Sequence, residues 1–290
     1  MLRLKSIERD APGVELYCKL ELLNPGGSVK DRPALQMIRE GLESGQLEGG
    51  RTVIDATSGN TGVAYGMVGA ALGIPVCLVM PENVTESRKK ITAAYGVRIV
   101  YSTPMEGSDG AIQLVRKLVA EEPDRYFYPD QYTNEANPRA HYLGTGVEIL
   151  EDVGDRITHF VSGLGTSGTV MGTGRRLKEH STRIQVIGVE PAESLHGLEG
   201  LKHMATSIVP AIYHPAELDE VMGVSTEDGW DMTERLKREE GLFAGHSTGA
   251  NVFAALQVAK RIGAGCVVTI ACDRGDRYFK PRQWERHYEW

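Results

Sequence analysis

Cysteine is scarce and scattered in this chain. Cys18, Cys77, Cys266 and Cys272 show neither C-x-x-C nor Cys/His ligand spacing, so a zinc or dithiol-redox centre has nothing to stand on, and no metal is expected. Three of the four sit inside apolar, strand-like runs, where a buried thiol is the ordinary state. Basic clusters are also missing. No basic run exceeds Arg88-Lys89-Lys90, and 32 Lys and Arg face 39 Asp and Glu for a net charge of -7. That balance argues against a nucleic-acid or anionic-membrane surface, while leaving room for local positive charge toward a small anion. Apolar runs never approach membrane-spanning length, and Met1-Leu2-Arg3-Leu4-Lys5 carries no signal-peptide stretch, so a cytoplasmic protein is expected.

What is present is an α/β pattern. The 290 residues, 41% hydrophobic and 24% charged, suffice for one large or two ordinary globular domains. Apolar runs rich in β-branched residues predict strands at Thr52–Ala56, Val76–Met80, Arg98–Tyr101, Thr158–Ser162, Gln185–Glu190 and Cys266–Ala271. Stretches with three-to-four-residue apolar spacing predict helices at Gly62–Leu72, Glu86–Tyr95, Gly110–Glu121 and Gly249–Ile262. Repeated strand–helix units imply mainly parallel sheets flanked by helices. Leu2–Leu4 with Glu15–Leu20 reads as an antiparallel edge, and Asn134–Gly146 interrupts the periodicity. The expectation is two α/β lobes with a cleft between them: a smaller lobe over residues 38–140, and a larger one from 1–37 with 141–290. Ligands in such sheets bind beyond the carboxyl ends of the strands, so the loops there should carry the chemistry.

The segment from Asn24 to Ala34, Asn-Pro-Gly-Gly-Ser-Val-Lys-Asp-Arg-Pro-Ala, sets Lys30 between a tight turn and an amphipathic run. The positive end of a helix dipole disfavours the protonated amine, and a neutral amine can attack a carbonyl. After the strand at 52–56 comes Thr57-Ser58-Gly59-Asn60-Thr61-Gly62, a dense set of hydroxyl and amide groups opening a helix. It suits a small carboxylate or a ring oxygen. After the strand at 158–162 comes Gly163-Leu164-Gly165-Thr166-Ser167-Gly168-Thr169. Gly163, Gly165 and Gly168 spell G-x-G-x-x-G, and Glu190 ends the next strand, which is the dinucleotide fingerprint in its usual context. The same loop suits a phosphate monoester, whereas a Walker A reading fails because Thr169 stands where Lys is needed. A third loop, Gly245-His246-Ser247-Thr248-Gly249, offers Ser247 as a helix cap or a site residue, with His246 read as a packed or solvent-facing side chain. A reactive lysine, a phosphate cradle and a polar loop meeting in one cleft is what pyridoxal 5′-phosphate needs.

Residues 27–34, residues 57–62 and Gly165-Thr166-Ser167-Gly168-Thr169 resemble the distinctive motifs of the cysteine synthase (O-acetylserine sulfhydrylase) family of fold type II pyridoxal-phosphate enzymes. Met80-Pro81-Glu82, Asn137-Pro138 and the stretch 241–250 also match in order, and Cys272-Asp273-Arg274-Gly275-Asp276-Arg277-Tyr278 is similar to the ending of the B-type isozymes. The resemblance implies a tryptophan synthase β-like fold, a homodimer and closure of the smaller lobe over substrate. It implies Lys30 as the Schiff-base lysine and general base, and Asn60 as partner of the cofactor's ring hydroxyl. Gly165, Thr166, Ser167, Gly168 and Thr169 would hold the phosphate, and Ser247 would face the pyridine nitrogen. Thr57, Ser58, Thr61 and Gln131 would receive the substrate carboxylate. The implied reaction is a β-replacement that makes L-cysteine from O-acetyl-L-serine and sulfide or another sulfur donor, through an aminoacrylate. O-Phospho-L-serine stays open if Lys202 supplies a charge partner, as does cystathionine β-synthase-like β-replacement. An NAD-dependent oxidoreductase built on the G-x-G-x-x-G loop is the alternative of another class. The chain departs from the family at its abrupt start, Leu2-Arg3-Leu4, and at its ending, residues 279–290. Serine acetyltransferase or sulfur-carrier partners are not legible.

Overall fold

The computed structural model describes residues 1–278 except Ser58, Thr85, Pro104 and Glu106, and omits the side chains of residues 86–88, 107 and 108. The divergent ending at 279–290 lies outside the described residues.

Among the described residues, ten strands form two sheets. Strand β1 (Leu2–Arg3) pairs antiparallel with β2 (Val14–Leu20), Leu2 opposite Cys18, as the sequence suggests. The chain then leaves through helix α1 (Asp31–Glu43) to build a second sheet from β3 (Thr52–Ala56), β4 (Val76–Pro81), β5 (Arg98–Ser102) and β6 (Tyr126–Phe127). Its order is β5-β4-β3-β6, and every pairing is parallel. Crossover helices α2 (Asn60–Leu72), α3 (Glu86–Ala94) and α4 (Gly107–Glu121) join those strands. The chain returns to the first sheet with β7 (His159–Gly163), β8 (Gln185–Pro191), β9 (Glu220–Val224) and β10 (Gly265–Ala271), giving the order β1-β2-β10-β7-β8-β9. Only its β1–β2 pairing is antiparallel.

Burial explains why these runs are strands. All six residues of β4 are buried, as expected of a parallel strand covered on both faces. Helices cover both faces of each sheet. In the larger sheet, α8 (Thr226–Glu240) and α9 (His246–Ile262) pack on one side. On the other side lie α6 (Gly146–Val153) and α7 (Gly168–His180). In the smaller sheet, α1 and α2 bury Met37, Ile38 and Tyr65 on one side, and α4 buries Ile112 and Val115 on the other.

Strand β6, strand β9, helix α8 and the helices after Asn134 lie outside the sequence expectation. Strand β6 is only two residues long, too short to show periodicity. Strand β9 is a partly exposed edge. Helix α8 is strongly polar and starts on a cap, the Ser225 Oγ accepting from the Asp228 N–H at 3.1 Å. The stretch 134–146 is helical from Ala136 on: α5 (Ala136–Ala140), one π turn at His141–Thr145, then α6. Pro138 fits there because it lies in the first turn, where its missing N–H has no intrahelical partner.

Candidate active site

A cavity of about 430 Å³ opens beyond the carboxyl ends of β3 and β7, where α2 and the loop before α7 begin. Lys30, Thr57, Asn60, Thr61, Gln131, Gly165, Thr166 and Lys202 all line it. Ser167, Gly168, Thr169 and Ser247 do not reach its surface, and Ser58 lies outside the described residues.

Lys30 occupies the N-cap position of α1. Its turn is tied to the segment just after β10: the Val29 N–H donates to the Cys272 carbonyl at 2.7 Å, and Ser28 bridges Asp273. Burial is the main force lowering the Lys30 pKa from its ordinary 10.5, opposed by Cys272 and Asp273. The sequence points to the same direction through the helix dipole, and the structure adds the larger cause, desolvation.

The loop between β7 and α7 is a cradle of backbone donors. Among the described residues, no carbonyl or side chain receives the backbone N–H groups of residues 165–170, and Ser167 turns the chain at φ 69°. Unpaired N–H groups at a helix start attract a dianion. Two glycines keep the turn open. A Cβ on Gly165 would stand 2.4 Å from the Gly200 carbonyl oxygen, and one on Gly168 would stand 2.0 Å from Asn137 Oδ1. Asn137 braces the loop from behind, donating to Thr166 Oγ1 at 3.2 Å and to the Gln131 carbonyl at 2.8 Å. Thr169 Oγ1 meets the buried ring of His141 at 3.3 Å. Burial holds that ring neutral, with Lys30 and Arg32 adding to the effect. Glu190, which a dinucleotide reading would give to a ribose, instead accepts the Met204 N–H at 2.9 Å.

On the opposite wall Thr61 Oγ1 donates to Gln131 Oε1 at 2.9 Å. Beside Gln131, Asp130 has φ 46°; with Ser167 it is one of two non-glycine residues at positive φ among the described residues, and both adjoin the cavity. The ammonium of Lys202 sits 5.1 Å from the centre of the Tyr132 ring, and burial lowers its pKa. Ser247 is buried in the first turn of α9. Burial pushes the Cys272 thiol, which meets Asn251 Nδ2 at 3.3 Å, up to about 11.

Sequence reasoning passed over Asp273, Arg277 and Tyr278. Arg277 and Tyr278 line the cavity, and Asp273, only 1% exposed, stands behind Asn60. The Asn60 Nδ2 donates to Asp273 Oδ2 at 2.6 Å, and Arg277 donates to Asn60 Oδ1 and to the Gly26 carbonyl. The available signal was a charged run directly after a buried strand, at the end of the sheet where ligands bind.

A family model described as "Pyridoxal-phosphate dependent enzyme" matches residues 1–273. The chain belongs to that family. It is 50% identical over 279 residues to a cysteine synthase of Aquifex aeolicus (strain VF5), covering 94% of this chain and 85% of that protein. It is 40% identical to cysteine synthase B of Escherichia coli (strain K12), with 95% and 90% covered. The crystal structure of a cysteine synthase (OASS) from Entamoeba histolytica superposes at a TM-score of 0.93 with 33% identity, covering 100% of this chain and 88% of that one. Pyridoxal phosphate is that family's cofactor, and the unpaired N–H groups of residues 165–170 are donors of the kind that fits its phosphate.

Proposed function

We propose that the cavity makes L-cysteine by β-replacement on an activated L-serine, with sulfide or another sulfur donor as the incoming nucleophile. The observation that carries it is one amine and one cradle in one cavity: Lys30 on one wall, and the unpaired N–H groups of residues 165–170 on another. The relatives named as cysteine synthases support the same reading. When bound, pyridoxal phosphate supplies an electron sink that stabilises negative charge at the substrate Cα.

The chain's own groups do the rest. Lys30 would hold the cofactor through its aldehyde and would serve as the base that takes and returns the proton at the substrate Cα. Its lowered pKa suits that task, since a base must spend part of its time neutral near working pH. Residues 165–169 hold the phosphate, and Asn60 serves the ring hydroxyl. Thr57, Ser58, Thr61 and Gln131 receive the substrate carboxylate. The Thr61–Gln131 bond supports this assignment, because it aligns two such groups before substrate arrives. Ser247 is assigned to the ring nitrogen. A neutral hydroxyl there leaves the ring less electron-withdrawing than a carboxylate partner would, which favours loss of the Cβ group over side reactions.

Lys202 and Arg277 bring positive charge to the cavity wall, suited to an anionic leaving group or sulfur donor. The leaving group is taken as acetate, with phosphate the competitor. The same reading takes the protein as a cytoplasmic homodimer whose smaller lobe, residues 38–140, closes on the larger. Borohydride reduction of the purified protein followed by peptide mapping tests the core of this. A pyridoxyl mark on Lys30, with cysteine formed from O-acetylserine and sulfide, supports it; a mark elsewhere or none overturns it.

A further inference from the structure

We propose that Asp273 is a positioning residue of the cofactor site, holding the Asn60 amide in one orientation between its own carboxylate and the Arg277 guanidinium. The inference rests on the cofactor reading above and extends it to residues behind the cavity wall.

The geometry is specific. Asp273 Oδ2 accepts from Asn60 Nδ2 at 2.6 Å and from the Tyr278 hydroxyl at 2.5 Å. Asn60 Oδ1 accepts from Arg277, which also holds the Gly26 carbonyl in the turn before Lys30. An amide has two donors and one acceptor end. Flipping the Asn60 amide would turn its oxygen onto the carboxylate and its NH₂ onto the guanidinium, donor against donor and acceptor against acceptor. The two charged neighbours therefore fix the amide. One of its N–H bonds is taken by Asp273 and the other is left over for a ligand in the cavity that Asn60 lines.

Asp273 is built into this place. It is 1% exposed, it bridges Ser28 across the chain, and a Cβ on Gly245 would lie 2.3 Å from its Oδ1, so only glycine permits the packing. The charged and titratable groups around it are Lys30, Cys272, Arg277 and Tyr278. Burial raises the Asp273 pKa, and the bonds from Tyr278 and Asn60, with the charges of Arg277 and Lys30, act against it.

The test is a double-mutant cycle read on cofactor affinity rather than turnover. Apoenzyme of the wild type, Asp273→Ala, Asn60→Ala and the double variant is titrated with pyridoxal phosphate. The absorption band of the bound cofactor is recorded against pH, and the melting temperature of each apoenzyme is measured. Asp273→Ala is expected to weaken cofactor binding at least tenfold in the wild-type background, and by less than twofold once Asn60 is gone. Its pH profile for the cofactor band should shift, and Asp273→Asn, which keeps an acceptor, should recover part of the affinity. Effects that multiply independently, or a fall in melting temperature with unchanged affinity and band, overturn the role. Should Asp273→Ala not fold, Tyr278→Phe enters the same cycle. It removes one of the two donors to Asp273, with about a two- to fivefold loss expected that again depends on Asn60. Wild-type protein that takes up no cofactor overturns the function itself, and this role with it; cofactor uptake with an additive cycle overturns this role alone.

Discussion

The Val29 N–H donates to the Cys272 carbonyl at 2.7 Å, which locks the turn carrying Lys30 to the end of β10. The lysine is thus set by two segments from opposite ends of the chain, and its amine is buried beside Cys272 and Asp273. Replacing it removes the amine without disturbing that anchor, which is a backbone bond. Lys30→Ala is expected to keep the fold, lose the borohydride mark, and lower turnover by about a thousandfold or more, as for loss of a group serving both as attachment point and base. A mark on another lysine, or turnover within tenfold of wild type, contradicts the assignment.

Gly165 and the Gly200 carbonyl make the second test. A methyl group at 165 would stand 2.4 Å from that oxygen, which is backbone and cannot swing aside as a side chain would. The cradle must therefore shift. Gly165→Ala is expected to weaken cofactor binding about tenfold or more, with turnover restored in part by excess pyridoxal phosphate. Unchanged affinity in a spectral titration would mean that the phosphate rests elsewhere.

Most strands legible in the sequence are buried along much of their length; β5, a partly exposed edge, shows through its Ile-Val-Tyr run instead. Thr52–Ala56 matches β3 at both ends, and the other five predicted strands agree to within one residue. Parallel strands covered by helices must be apolar throughout, so their runs stand out. Strand β6 is too short and α8 too polar to signal themselves. The same contrast runs through the site. Lys30, Asn60 and residues 165–169 sit in local motifs whose spacing reflects a turn or a helix start. Asp273 and Arg277 gain their meaning from contacts 213 and 217 residues away in the chain, which no local pattern encodes. Lys202 lies between these cases. Its sequence neighbourhood favours a solvent lysine, and only the fold lays it against Tyr132 on the cavity wall.

That placement gives Lys202 a measurable part. If its ammonium meets the leaving group, it should favour a phosphate dianion over an acetyl ester, because the charge partner matters only to the former. Lys202→Ala is expected to lower kcat/KM for O-phosphoserine at least about tenfold more than for O-acetylserine. Equal losses on the two esters would leave Lys202 as a packing residue over the Tyr132 ring.

Asp55 ties the pH dependence of stability to one buried carboxyl at the floor of β3. Its Oδ2 accepts from the Tyr65 hydroxyl at 2.9 Å and its Oδ1 from the Ala56 N–H at 2.7 Å, yet burial pushes its pKa up to about 7. A carboxyl raised in the folded state holds a proton that the unfolded chain has released, so its contribution is full below about pH 4 and drains away as pH rises through 7. Asp55→Asn cannot titrate, so its stability relative to wild type should climb across that window. One pKa unit corresponds to about 1.4 kcal/mol, and a climb of at least that size between pH 4 and pH 8 is expected from urea unfolding. The new amide can accept only one of the two bonds, a loss of about 1–3 kcal/mol at every pH. The slope of the difference, not its absolute value, therefore carries the result. Parallel curves for the two proteins would mean that Asp55 titrates alike in folded and unfolded chains.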